Sequence, residues 1–159
     1  MASGKPTFID LFAGAGGLSL GLEQAGFMPV FVSELNPDAL ETYLMNRDGF
    51  GSVDLRDSDN HVGDISTISR DDDALMLLAK NQRKKHGDIS LVVGGPPCQG
   101  YSGIGHRRSF DVSKLENPSN HLYLDMARVI EVVQPKMFVF ENVRGLLSSR
   151  WNVESGDKG

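Results

Sequence analysis

Cysteine is almost missing: Cys98 is the only one in 159 residues. A lone thiol excludes an internal disulfide and a cysteine-built metal cluster. The four histidines, His61, His86, His106 and His121, have no paired metal-ligand spacing, so no metal is expected. Long apolar runs are also missing, which excludes a membrane-spanning helix of ordinary length. No charged-then-apolar leader opens the chain, and with one cysteine this predicts a reducing, cytoplasmic setting. Positive charge is in deficit: 16 Lys and Arg against 21 Asp and Glu, a net charge of −5. That balance argues against a stand-alone nucleic-acid binder, whose phosphate contacts need clustered cations. Repeats and low-complexity segments are missing too. A chain of this length with 40% hydrophobic and 23% charged residues is one domain able to bury a core.

Within that plain background two segments stand out. Residues 94–102 read Gly-Gly-Pro-Pro-Cys-Gln-Gly-Tyr-Ser, directly after the apolar run 89–93. A free cysteine is often only a small buried hydrophobe. A Gly-Gly-Pro-Pro frame is loop chemistry that a core position does not need, and a loop at a strand's C-terminal end is where open α/β sheets carry out their reactions. Cys98 is therefore a candidate nucleophile. Near the N-terminus, the strand-like run 7–12 enters Ala13-Gly14-Ala15-Gly16-Gly17, and a helix-like stretch follows over 18–26. Strand, glycine turn and helix form the cofactor-binding start of a doubly wound domain: glycines admit a ligand close to the backbone, and the helix offers free N–H groups. Ser19 stands where the dinucleotide fingerprint wants its third glycine. A second strand, 28–33, ends at Glu34, about 20 residues after Gly14. An acid there suits the two hydroxyls of a ribose and fits any adenosine-containing cofactor; it equally suits a solvated strand end.

Elements alternate along the rest of the chain. A helix opens at Asn36-Pro37-Asp38 and runs to about residue 46, and 49–59 is polar and turn-rich. A helix over 71–85 has an acidic start and a basic end, Arg83-Lys84-Lys85, matching the helix dipole, so those cations belong to a solvated helix end rather than to a DNA site. A strand over 89–94, a long polar loop over 102–118, a helix over 120–133 and a strand over 136–141 complete the pass. The expected fold is α/β, a doubly wound, mostly parallel sheet with helices on both faces.

Three motifs now resemble one family in its own order. Asp10-Leu-Phe-Ala-Gly-Ala-Gly-Gly17, Gly95-Pro-Pro-Cys-Gln-Gly-Tyr-Ser102 and Glu141-Asn-Val-Arg-Gly-Leu146 look like signatures of the DNA (cytosine-5) methyltransferases. The likeness runs from about Thr7 to Leu147 and covers the first part of that family's catalytic domain, which implies an incomplete class I methyltransferase-like fold. It implies S-adenosylmethionine as cofactor, with Phe12, Ala13, Gly14 and Gly17 along its methionine part, Glu34 on the ribose, Leu35 against the adenine, and Leu122 nearby. Gly63-Asp64-Ile65 resembles a further cofactor motif, in which Asp64 accepts from the adenine amino group and Ile65 packs beside it; by itself it reads as a turn. Asp10 is expected to orient the glycine turn. The implied reaction is covalent addition of Cys98 to C6 of a flipped cytosine, followed by methylation at C5. Glu141, its pKa raised by burial, would bond the base edge at N3 and N4, Asn142 would buttress the site and Pro97 would shape the base pocket. Gln99, Ser102, Arg107 and Arg108, in and after the cysteine loop, are the candidate DNA contacts.

The chain also departs from that family. No Gln-x-Arg-x-Arg pattern occurs, and no counterpart of the family's target-recognition region or of its returning C-terminal segment is found. The expectation is one domain, residues 1–159, that needs a C-terminal part or partner subunit for recognition of double-stranded DNA. A cofactor-binding or interaction module without catalysis, or the same chemistry on transfer RNA, stays open. A nicotinamide dehydrogenase fits worst, since it leaves the Pro-Pro-Cys loop without a task.

Overall fold

The computed structural model describes residues 4–48, 53–97 and 122–142. Strand β1 (Thr7–Leu11) leads through the glycine turn into helix α1 (Gly17–Gln24), and β2 (Met28–Ser33) leads into α2 (Pro37–Met45). The short β3 (His61–Val62) and α3 (Ser66–Ser69) precede the long α4 (Asp72–His86), then β4 (Leu91–Gly94), α5 (Leu122–Val133) and β5 (Met137–Phe140). The strands form one sheet in the order β3-β2-β1-β4-β5, and each adjacent pair is parallel. The chain winds outward from β1 in one direction through β2 and β3, then in the other through β4 and β5. This places a topological switch point between β1 and β4, where open α/β sheets form their ligand crevice.

Local sequence accounts for the helix ends. The Asn36 side chain accepts from the N–H groups of Asp38 (2.9 Å) and Ala39 (3.2 Å), and Pro37 sits in the first turn, where no hydrogen-bonding N–H is needed. Asp71 caps α4 by accepting from Ala74 N–H at 3.0 Å. Asp72 and Asp73 follow in the first turn, and Arg83, Lys84, Lys85 and His86 fill the last. Gly87, at φ 78°, then ends the helix.

Side-chain alternation divides the core between the two faces. Ile9, Leu11, Phe31 and Val92 pack with Leu75 and Leu78 of α4 and Met126, Val129 and Val133 of α5. Phe8, Leu91 and Val93 point the other way, toward Leu22 of α1 and Phe27. Val32 meets Tyr43 and Leu44 of α2. Helices therefore cover both faces, as expected. The sheet ends differently at β5: Met137, Phe138, Val139 and Phe140 are 56%, 58%, 41% and 37% exposed, so among the described residues this apolar edge strand is only partly covered on either face. No helix among the described residues is long and apolar enough to cross a membrane.

Two features differ from the sequence expectation. β3 and α3 flank Gly63-Asp64-Ile65, where the sequence marks no element on either side, and β4 begins at Leu91 rather than residue 89. Ser90 nonetheless donates its N–H to Thr7 O at 3.1 Å, so the chain is already docked beside β1 before the ladder starts.

Candidate cofactor and active site

At the C-terminal end of β1 the backbone turns left-handed three times within five residues: Phe12 at φ 59°, Gly14 at 56° and Gly16 at 92°. Phe12 is the costly member, since a side chain disfavours that conformation. Surrounding hydrogen bonds hold the turn. Ala13 N–H donates to Ser33 O at 3.1 Å, and Gly16 N–H to Ala13 O at 3.0 Å. Gly14 N–H donates to Glu34 Oε2 and Asn36 N–H to Glu34 Oε1, both at 2.8 Å. The Glu34 carboxylate thus joins the glycine turn to the start of α2, with one further lone pair on each oxygen to offer a ligand.

A cleft of about 460 Å³ opens beside this carboxylate. Phe12, Glu34, Leu35, Asp64, Ile65, Leu122 and Pro97 all line it, so seven residues from separate segments come together. Leu35 is 69% exposed and presents a bare apolar wall. Asp64 spends Oδ1 on Ser66 N–H at 2.9 Å, closing the turn before α3 while facing the cleft. Ala13 and Gly14 shape the turn behind Phe12, and Gly17 starts α1 on the exposed surface. Ser33, Asn36, Gly63 and Gly95 also line the cleft, although the sequence assigned none of them a ligand contact. Three of the four adjoin residues that were assigned one, so the neighbourhood was readable although the individual positions were not.

On the other wall, the ends of β4 and β5 are zipped together. Glu141 N–H donates to Gly94 O at 2.9 Å, and Asn142 Nδ2 donates to Pro96 O at 3.4 Å. A Cβ at Gly95 would stand 2.8 Å from Glu141 Oε2, so with any other residue here the carboxylate must move from this position. Glu141 itself is exposed, contrary to the burial expected for it. The reason is its place on the partly covered edge strand, where no described element packs over the β5 end. Cys98, Gln99, Ser102, Arg107 and Arg108 lie outside the described residues, as does His121; Pro97 at the cleft rim is the last described position before the cysteine. Among the described residues no three His, Cys, Asp or Glu side chains are gathered so as to hold a metal ion.

A second polar group lies beneath the turn. Asp10 is buried, and Ser19 Oγ donates to its Oδ2 at 2.5 Å while lying 2.7 Å from the Tyr43 hydroxyl. Burial pushes the Asp10 carboxyl up to about 6, against the opposing pull of the Ser19 bond and the Arg47 charge. Ser19 thus occupies the fingerprint's third-glycine position as a fully buried hydrogen-bonding residue. Across the cleft, Asp125 of α5 accepts from Ser69 Oγ at 2.6 Å and from Arg70 Nε and Nη2 at 3.0 and 2.9 Å. Burial alone would raise the Asp125 carboxyl, but those bonds and the Arg70 charge hold it below the ordinary range.

A family model described as C-5 cytosine-specific DNA methylase matches residues 6–155. The Type II methyltransferase M1.HphI of Haemophilus parahaemolyticus is 39% identical over 143 residues, covering 89% of this chain and 33% of that protein. A crystal structure of a DNA modification methyltransferase encoded within an E. coli prophage superposes with a TM-score of 0.63 at 31% identity, over 89% of this chain and 33% of that one. The enoyl-[acyl-carrier-protein] reductase of Aquifex aeolicus superposes at 0.54 with 18% identity, a likeness of fold alone. The chain thus spans about a third of the length of each of these two methyltransferases.

Proposed function

The chain belongs to the C-5 cytosine-specific DNA methylases, and from that membership we propose that it carries the cofactor site and the nucleophile of a DNA cytosine methyltransferase. The observation that carries the proposal is the single cleft assembled from Phe12, Glu34, Leu35, Asp64, Ile65, Leu122 and Pro97. Its volume of about 460 Å³ lies in the range of small-molecule sites. Two carboxylates with free lone pairs face an apolar wall, a donor-seeking set that suits the hydroxyls and amino group of an adenosine. Glu34 already takes the Gly14 N–H, so that amide is not offered to a phosphate, which disfavours a nicotinamide dinucleotide. S-adenosylmethionine fits, with Glu34 on the ribose, Asp64 on the adenine amino group, Leu35 and Ile65 beside the ring, and Phe12, Ala13, Gly14 and Gly17 along the methionine part.

S-adenosylmethionine supplies a sulfonium-activated methyl group. The protein supplies the rest. The Cys98 thiolate adds to C6 of the cytosine, and the C5=C6 electron pair becomes available at C5 to form the new carbon–carbon bond. Glu141, beside Gly95, hydrogen-bonds the base edge at N3 and N4 as charge moves there, while Asn142 ties the loop through Pro96 O. Loss of the C5 proton to a base then expels the thiolate and restores the double bond. Gln99, Ser102, Arg107 and Arg108 contact the DNA strand around the flipped base. Recognition of double-stranded DNA comes from a C-terminal part or second subunit, consistent with the bare apolar edge at β5, and the setting is the cytoplasm or nucleoid.

The test is a trapping assay. With S-adenosylmethionine, a duplex carrying a mismatched 5-fluorocytosine, easily flipped, gives a denaturation-resistant adduct, because fluorine at C5 blocks thiolate release. Cys98→Ser abolishes the adduct while leaving cofactor affinity unchanged. Trapping by the serine variant overturns the assignment of the nucleophile. Failure of the native chain to trap while it still binds cofactor counts against Gln99, Ser102, Arg107 and Arg108 as sufficient DNA contacts.

A further inference from the structure

The glycine turn is held from the cleft side by Glu34, and from the opposite side by a connected polar group that no sequence motif marks. Arg47, just past α2, has a side chain only 7% exposed. Its Nε and Nη2 donate to Glu23 of α1 at 3.1 and 2.7 Å. Nη1 donates to Tyr43 O at 3.1 Å and Nη2 to Gly16 O at 3.3 Å. The guanidinium carbon stands 3.8 Å from the centroid of the Tyr43 ring, within cation–π range. The Tyr43 hydroxyl reaches Ser19, which in turn bonds Asp10 at the base of the turn. Gly16 is pressed directly on this pair: a Cβ there would meet Arg47 Nη1 and Tyr43 Cδ2, each at 2.7 Å.

We propose that Arg47 and Tyr43 are positioning residues for the cofactor turn: clamped between α1 and the ring, the guanidinium fixes the left-handed path of Gly14 and Gly16 and so sets cofactor affinity without touching the cofactor. This rests on the reading of the cleft as an S-adenosylmethionine site. The backbone logic is direct. Left-handed Phe12 is strained and must be held by its surroundings, and Gly16, which can take many conformations, is fixed in its left-handed one by its contacts. Gly16 O accepts from Leu20 N–H of α1 at 2.9 Å, and on the back of the turn the Arg47 bond to the same oxygen and the packing of the Tyr43 ring add to that hold. Releasing them lets the Gly14 amide, and with it the Glu34 carboxylate, move away from the ligand position.

Amide hydrogen exchange on the native chain and on Arg47→Met tests this independently of any ligand, and calorimetric titration with S-adenosylhomocysteine tests the consequence. Arg47→Met keeps the apolar stem over the ring and removes the fork. Exchange at Ala13, Gly14 and Gly16 is expected to quicken by about tenfold, with Val32, Leu78 and Val92 unchanged. Affinity is expected to fall by about tenfold, in keeping with the cost of displacing a positioned group. Arg47→Lys, which keeps a cation over the ring, recovers part of both. Turn exchange equal to the native chain, or equal acceleration everywhere, overturns the proposal. If Arg47→Met does not fold, Glu23→Gln and Arg47→Lys are read by the same measure. A native chain that binds no S-adenosylhomocysteine, while the turn still loosens selectively in the variants, counts against the cofactor reading and leaves the turn-positioning role standing.

Discussion

Asp10 is a carboxylic acid whose ionisation this fold resists. Burial lifts its carboxyl from an ordinary 3.8 to about 6. The folded state therefore binds the proton more tightly than the unfolded chain, so this group's contribution is most favourable below about pH 3.8 and is lost as pH rises through about 6. The linked loss is on the order of 3 kcal/mol. Asp10→Asn keeps an acceptor for Ser19 without the charge. In urea unfolding the variant should gain on the native chain as pH rises through that window; a pH-independent difference would count against the assignment. At Gly95 the prediction is steric: Gly95→Ala forces its Cβ or the Glu141 carboxylate aside. The backbone there is not left-handed, so we expect a stability cost of about 1 kcal/mol with a far larger loss of trapping by 5-fluorocytosine DNA. Glu34 was legible because spacing placed it at a strand end, and Asp64 because Gly63-Asp64-Ile65 resembles a family motif. Tyr43 and Arg47 were not, because their partners Ser19 and Glu23 lie 24 residues away and another is a backbone carbonyl, neither of which leaves a local pattern.

Helices and strands were mostly readable because capping and periodicity are local. Asn36-Pro37 and the Asp71-Asp72-Asp73 run mark their helices, and both caps form. β3 and α3, of two and four residues, are too short for a period to emerge, and their existence depends on pairing with β2 and packing under α5. That packing is held by Asp125, which links α5 to Ser69 and Arg70 just after the cleft-lining Gly63-Asp64-Ile65 segment. Asp125→Ala leaves the buried Ser69 hydroxyl without its acceptor, while the more exposed Arg70 can rehydrate. A loss of about 2 kcal/mol is expected from chemical denaturation, along with weaker cofactor binding as Leu122 and Asp64 part. Unchanged stability would mean that apolar packing alone joins α3 to α5.

For the molecule as a whole, the sheet's edge is the telling feature. β5 carries four exposed apolar residues and, among the described residues, has a strand partner only on its β4 side, so its outer edge is a surface that other chains can pair with. Concentration-dependent self-association in sedimentation is expected of the chain alone, reduced in Phe138→Lys; identical behaviour of the two would show that this edge is not the adhesive surface. The α/β fold was legible from strand–helix alternation, whereas the bare edge was not: Phe138-Val-Phe140 reads as a buried strand until its neighbours are known. The central claim is that the switch-point cleft is an S-adenosylmethionine site, and calorimetric titration of the purified chain with S-adenosylhomocysteine tests it most directly. The account predicts micromolar binding that Glu34→Ala weakens by about 1 to 2 kcal/mol, the scale of lost charge-assisted hydrogen bonds. Binding that is indifferent to Glu34→Ala, or no binding by a chain whose sheet is intact, would contradict it.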